Sequence, residues 1–215
     1  MLLIFDLDGT LIDSSKDLAI AMNATRSHMG LPEIDASLIY SFVGNGAAVL
    51  VRRALGPDAD EESVERALAF FLKFYGAHAL EHTQLYPGMR EAIETLNDQG
   101  HSLAVLTNKP GKISFDILEA VSLGEYFLRV YGGDSLSAKK PNPLGIHLLQ
   151  QETGTEANQT LMIGDSSVDV QTASNAGVKA CGVTWGFQPE TFEQYPPDFL
   201  VHHPQEIVTV ASSAR

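Results

Sequence analysis

The chain has 215 residues, 44% of them apolar, a formal net charge of -13 and a single cysteine. That length allows one sizeable α/β core with a small accessory domain. The acidity argues against unassisted binding of nucleic acid or an anionic membrane, because Lys and Arg make most phosphate contacts; a small anionic substrate needs cations gathered locally. Cys181 cannot form an internal disulfide, no apolar run approaches bilayer length, and no basic region leads into a cleavage site near Met1. The expected setting is therefore reducing and cytoplasmic.

Leu2-Leu3-Ile4-Phe5 suits a strand covered on both faces, and it runs directly into Asp6-Leu7-Asp8-Gly9-Thr10. If the backbone stays extended through Asp8, the period of two puts Asp6 and Asp8 on one side with Leu7 opposite. Two carboxylates about 4 Å apart repel by roughly 4 kcal/mol at an effective dielectric near 20, so the pair needs a cation or a shared proton. A plain surface turn after a buried strand would have the same composition.

From Ser14 the periodicity turns helical and stays so for about 70 residues. Ser14 or Ser15 could cap a helix carrying Leu18, Met22 and Thr25 on one side. A short helix is predicted from Ala36 to Phe42, a third over Ala47 to Leu55, and the longest from about Asp60 to Glu81 with Val64, Phe71 and Tyr75 on its apolar face. No strand signal interrupts this block, which reads as an all-helical insert. Gly44-Asn45-Gly46 breaks it either as an ordinary turn between helices or as a loop whose backbone can approach a ligand. His78 and His82 stand four apart on a helix without a supporting third ligand, and neither they nor His202-His203 are expected to bind metal.

After Leu85-Tyr86-Pro87-Gly88, a plausible hinge edge, helices and strands alternate, the pattern of a parallel sheet with crossover helices. A helix over Met89 to Asp98 leads to the strand Ser102 to Leu106, which ends in Thr107-Asn108-Lys109-Pro110. Thr107 and Asn108 could cap the next helix, Gly111 to Val121, or hydrogen-bond phosphate oxygens at the strand end. Beyond the strand Leu128 to Tyr131, Pro141 and Pro143 restrict the loop that carries Lys139 and Lys140, before a helix over Leu144 to Glu152. The strand Thr160 to Ile163 ends in Gly164-Asp165, with Asp169 four residues on. Either acid could merely complement a helix dipole, or the loop could be a second source of carboxylates for a hard divalent ion. A strand over Val178 to Val183 that buries Cys181, a short strand at Phe199 to Val201 and a helix from Pro204 to Val210 complete the pattern.

Taken in order, Asp6-Leu7-Asp8-Gly9-Thr10, Thr107, Lys140 before Pro141, and Gly164-Asp165 with Asp169 resemble the four motifs of the haloacid dehalogenase superfamily. The resemblance implies an α/β fold, with a Rossmann-like parallel-sheet core over residues 1–13 and 84–215 and a small helical cap over 14–83 inserted after the first strand. It makes Asp6 the nucleophile and Asp8 the acid and base. Thr107 becomes the phosphoryl holder with Asn108 in support, and Lys140, rather than Lys139, the offsetting cation. Magnesium would be held by the Asp6 side chain, the Asp8 backbone carbonyl and Asp165, with Asp169 supporting the metal shell. Gly44, Asn45 and Gly46 resemble the substrate-facing cap loop of the superfamily's phosphoglycolate phosphatases. The implied reaction is magnesium-dependent hydrolysis of a small phosphate monoester, 2-phosphoglycolate, through an aspartyl-phosphate; no nucleic acid or membrane partner is implied. An acid at Asp8 distinguishes the chain from dehalogenases. Sugar-phosphate mutases share the motifs, but they tend to carry a histidine about ten residues past the second acid, where this chain has Leu18. A non-enzymatic binding protein would have no need of the full set of site residues.

Overall fold

The computed structural model describes residues 1–213. Its centre is β1 (Leu2–Phe5), in which all four side chains are fully buried because the strand has helices on both faces. A two-residue strand, β2 (Ile12–Asp13), follows, and then α1 (Ser15–His28), α2 (Ala36–Tyr40), α3 (Ala47–Leu55) and α4 (Glu61–His78) run without an intervening strand. β3 (Gln84–Leu85) brings the chain back. Then come α5 (Met89–Asp98), β4 (Ser102–Leu106), α6 (Gly111–Ala120), β5 (Phe127–Tyr131), α7 (Leu144–Thr153), β6 (Thr160–Gly164), α8 (Ser167–Ala176), β7 (Lys179–Val183), β8 (Phe199–Val201) and α9 (Pro204–Ser213). Among the described residues, no helix is long and apolar enough to cross a membrane.

The main sheet has the order β5-β4-β1-β6-β7-β8, and every pairing is parallel. Alternation along β1 sends Leu3 and Phe5 to the face covered by α5, α6 and α9, and Leu2 and Ile4 to the face covered by α7 and α8. The chain builds outward from β1 through β4 to β5, then crosses back to β6 and builds the other way, so the order reverses beside β1. A crevice opens at such a switch point, outside the carboxyl ends of the strands. Register sets what reaches it: Phe5 lies level with Val105 and with Ile163, so Asp6, Thr107 and Asp165 all emerge at one end.

The helical block holds itself together through α1 against α4 and through Arg26, a buried guanidinium that donates from Nε to the Pro32 carbonyl at 2.7 Å and from Nη1 to the Ala54 carbonyl. The block leaves and rejoins the sheet through an antiparallel ribbon, Ile12 against Leu85 and Asp13 against Gln84. Two residues per strand carry no periodic signal, so the sequence alone does not mark these segments as strands. α4 stops at His78 rather than Glu81, because the chain turns there to place His82 and Thr83 on Asp17. The buried Asp17 carboxylate accepts from the His82 N–H (2.9 Å) and Nδ1 (2.7 Å) and from the Thr83 N–H (2.8 Å) and hydroxyl (2.9 Å). His78 pairs separately with Glu81 at 2.6 Å, and His202 lies 3.0 Å from the Thr184 hydroxyl.

Burial alone would raise the pKa of Asp17; the four bonds outweigh it and hold the carboxyl below its ordinary 3.8. The stabilisation is present above that value and is lost as pH falls through the lower folded one. Asp17→Asn should lower the unfolding free energy by about 2 kcal/mol at pH 7, and the gap to wild type in urea titrations should shrink below pH 4. A gap that stays constant down to pH 3 would show that the charge contributes nothing to the junction.

Candidate active site

Asp6 is the first residue beyond β1, 6% exposed, and its Oδ1 takes the Leu7 N–H at 2.7 Å and lies 3.0 Å from the Lys140 Nζ. The same ammonium lies 2.6 Å from Oδ1 of Asp169. Asp169 occupies the third position of α8 and closes a capping box: its Oδ2 accepts from the Ser166 N–H and hydroxyl, at 3.2 and 2.9 Å, while Ser166 starts the helix. Asp165, just past β6, takes the Phe187 N–H on Oδ2 at 2.6 Å. Two glycines admit it. A Cβ on Gly9, whose φ of +77° already favours glycine, would fall 2.2 Å from Asp165 Oδ2, and one on Gly186 would fall 2.2 Å from the Asp165 Cβ.

One carboxylate oxygen from each of Asp6, Asp165 and Asp169 lies within 4.8 Å of the others. Burial raises the pKa of Asp6 to about 6; Lys140 pulls it down and Asp169 pushes it up. Burial also raises Asp165 well above the ordinary carboxylate range, with Asp169 and Asp6 adding like-charge repulsion. Lys140 is raised to about 12: burial opposes its charge, but Asp169 and Asp6 more than offset that.

Asp8 has a cation of its own. Lys109 Nζ donates to both its oxygens, at 2.8 and 3.1 Å, and the Ser14 hydroxyl donates to Oδ1 at 2.5 Å. The expected need of the pair for a cation is met twice, since each carboxylate has a separate buried lysine. Strand geometry ends at Phe5 and the chain bends at Leu7, yet both acids line the same cavity. Ser14 does not cap α1 with its side chain, because its hydroxyl serves Asp8. Lys109 Nζ also bonds the Tyr75 hydroxyl at 2.6 Å and sits 4.4 Å over the ring of that residue. Burial works against the Lys109 charge, and Asp8 and Tyr75 nevertheless hold its pKa above the usual value; burial pushes the Tyr75 phenol to about 12.

Thr107 is 3% exposed and lines the cavity; it does not cap α6, whose capping position is Pro110. Asn108 lines the cavity too. Its Nδ2 donates to the carbonyls of Gly44 (2.9 Å) and Lys140 (3.0 Å), and its Oδ1 accepts the Lys140 N–H at 3.0 Å, so the amide braces two loops. Gly44 and Gly46 line the cavity, whereas Asn45 is not among the residues that do. The opposite wall is largely apolar and comes from the helical block, through Leu18, Val43, Leu50 and Phe71. Gln188 ties the loop after β7 to that block, donating to the carbonyls of Tyr40 and Val43 at 3.1 and 2.8 Å.

Lys109, Tyr75, Ser14 and Gln188 escape a reading of the sequence. One signal was present: a lysine directly before proline occurs twice, at Lys109-Pro110 as well as Lys140-Pro141. Both are buried, while Lys139 is exposed.

The model of the haloacid dehalogenase-like hydrolase family matches residues 3–183. The chain belongs to that family. Its curated relatives include the phosphoglycolate phosphatases of Pseudomonas putida, 42% identical over 86% of this hydrolase and 70% of the relative, and of Vibrio parahaemolyticus, 36% identical over 98% and 96%. A crystal structure of a predicted phosphoglycolate phosphatase from Haemophilus somnus 129PT is 34% identical, covers 97% of this hydrolase and 96% of that chain, and superposes with a TM-score of 0.92.

Four carboxylates and two ammonium groups leave two negative charges, and the three clustered acids offer only oxygen ligands, which together fit a divalent hard cation. The sign of the pH effect follows. Raised carboxyl pKa values contribute stability below the ordinary 3.8 that is lost as pH rises through about 6. Magnesium at a hundredfold its Kd should raise Tm by roughly 5–10 °C at pH 7.5, and by much less at pH 5, where protons compete for the site. Asp165→Asn should remove most of the rise; a rise independent of pH and of Asp165 would place the ion elsewhere.

Proposed function

We propose that this hydrolase cleaves small phosphate monoesters through an aspartyl-phosphate on Asp6, with 2-phosphoglycolate as its substrate. The reading rests above all on the placement of Asp6: a carboxylate at the end of the central strand, against Lys140 on one side and the Asp165 and Asp169 acids on the other. The names of the relatives support the choice of ester.

The chemistry of each group follows from its surroundings. Lys140 Nζ has three N–H donors and bonds Asp6 and Asp169, which leaves one for a phosphoryl oxygen. The Thr107 hydroxyl, on a buried residue that lines the cavity, supplies a neutral donor to another. Asp6 attacks phosphorus as the ester P–O bond breaks, and Asp8, which takes up a proton from solvent before this step, gives it to the departing alkoxide. Water then attacks the phosphoryl group, Asp8 takes the proton, and phosphate leaves Asp6 free. Magnesium, held by Asp6, Asp165 and the Asp8 backbone carbonyl with Asp169 alongside, would supply positive charge that lets a carboxylate approach a dianion.

In this reading, residues 14–83 act as a cap on a core of 1–13 and 84–215, hinged at the β2–β3 ribbon and sheltering the reaction from bulk water. The aliphatic side chain of Leu18 lines the cavity where a mutase would want a base to pass protons between substrate positions, which favours hydrolysis. The single thiol, Cys181, is free and buried, in keeping with a cytoplasmic protein that needs no disulfide.

A panel of phosphate esters assayed with magnesium should show 2-phosphoglycolate preferred, with free phosphate released and no isomerised sugar phosphate. Asp6→Asn should keep its circular dichroism and lose activity by about a thousandfold or more. Retained activity in Asp6→Asn would put the nucleophile elsewhere, and preference for another ester would reject the substrate alone.

A further inference from the structure

A buried lysine beside a phosphate site would ordinarily be assigned to the phosphate, but the geometry of Lys109 excludes that. Its Nζ has three N–H donors and three acceptors already at hand: both oxygens of Asp8 and the hydroxyl of Tyr75. None is left for a phosphoryl oxygen, in contrast to Lys140. With 3% of its side chain exposed and its ammonium over the Tyr75 ring, Lys109 has no room to swing away.

The groups that grip Asp8 have a common origin. Ser14 directly precedes α1, and Tyr75 lies on α4, so the carboxyl is held on one side by the start of the helical block and on the other, through Lys109, by its last helix. We infer that Tyr75 and Lys109 are positioning residues, through which the seated helical block orients the Asp8 carboxyl toward the leaving-group oxygen. The inference rests on the phosphomonoester reading and adds to it a route from the block to the proton-transferring group. Displacement of the block would remove the Tyr75 contact, while Ser14, next to the β2–β3 ribbon, lies at the pivot. Misplacing such a group by about 1 Å can cost a hundredfold in rate.

Leaving-group dependence separates this role from a merely structural one. An alkoxide cannot depart without a proton, whereas p-nitrophenolate can, and kcat/KM reports the steps through loss of the alcohol. Tyr75→Phe keeps the ring stacked against Phe71, 5.5 Å between centroids, and deletes only the hydroxyl. The measurement is kcat/KM on 2-phosphoglycolate, or on glycerol 1-phosphate if that ester is not turned over, and on p-nitrophenyl phosphate. In Tyr75→Phe the ratio of alkyl to aryl values should fall about tenfold, and in Lys109→Met further. A ratio within twofold of wild type in the folded variants, whether both activities drop or neither does, overturns the inference. Lys109→Met, read the same way, decides the matter if Tyr75→Phe does not fold. A wild-type enzyme that cleaves none of these esters would instead overturn the phosphatase reading.

Discussion

Like charge crowded into a buried sheet end is the constraint on which the rest depends. At an effective dielectric near 20, a pair of carboxylates about 4 Å apart costs roughly 4 kcal/mol, and oxygens of Asp6, Asp165 and Asp169 lie within 4.8 Å of one another. Such a cluster survives folding only with compensating charge. Lys140 is wedged between Asp6 and Asp169, Lys109 covers Asp8, and two negative charges remain for a divalent ion. The parallel sheet exists in a form suited to this, because its switch point places β4 on one side of β1 and β6 on the other. One neighbour delivers Thr107, Asn108 and Lys109; the other delivers Asp165 and the helix that carries Asp169.

The loops that hold these groups are cross-braced rather than independent. Asn108 joins the Gly44 loop to the Lys140 loop, Gln188 joins α2 and Val43 to the segment after β7, and the Trp185 indole donates to the Thr10 carbonyl at 3.1 Å. The Phe187 N–H binds Asp165 from the same segment. Separate stretches of chain therefore share a few bonds, and a change in any of them is felt by the acids. The helical block takes part through contacts of the same kind and through Ser14, whose hydroxyl donates to Asp8.

Much of this was legible from the residues, for reasons that can be named. Apolar runs punctuated by glycine and proline marked β4, α3, α5 and β8 to the residue, and strands ending in acids pointed to Asp6 and Asp165. What stayed hidden was whatever forms only by long-range encounter. The β2–β3 ribbon has two residues per strand and depends on the chain returning to its point of departure. Lys109 looks like a solvated lysine until Asp8 and Tyr75 arrive from positions far away in sequence, and nothing at Asn108 marks its side chain as the brace between the Gly44 and Lys140 loops. The position of Asn45 could not be read because a Gly-Asn-Gly turn leaves the direction of its side chain open.

The central claim is that Asp6, held against Lys140 and the acid cluster, takes up the phosphoryl group. Rapid acid quenching of the magnesium-loaded enzyme during turnover of radiolabelled 2-phosphoglycolate, followed by digestion and peptide sequencing, tests it most directly. The account predicts a hydroxylamine-labile label on the peptide that carries Asp6; a label on any other residue, or turnover with no protein-bound phosphate on the millisecond scale, would contradict it.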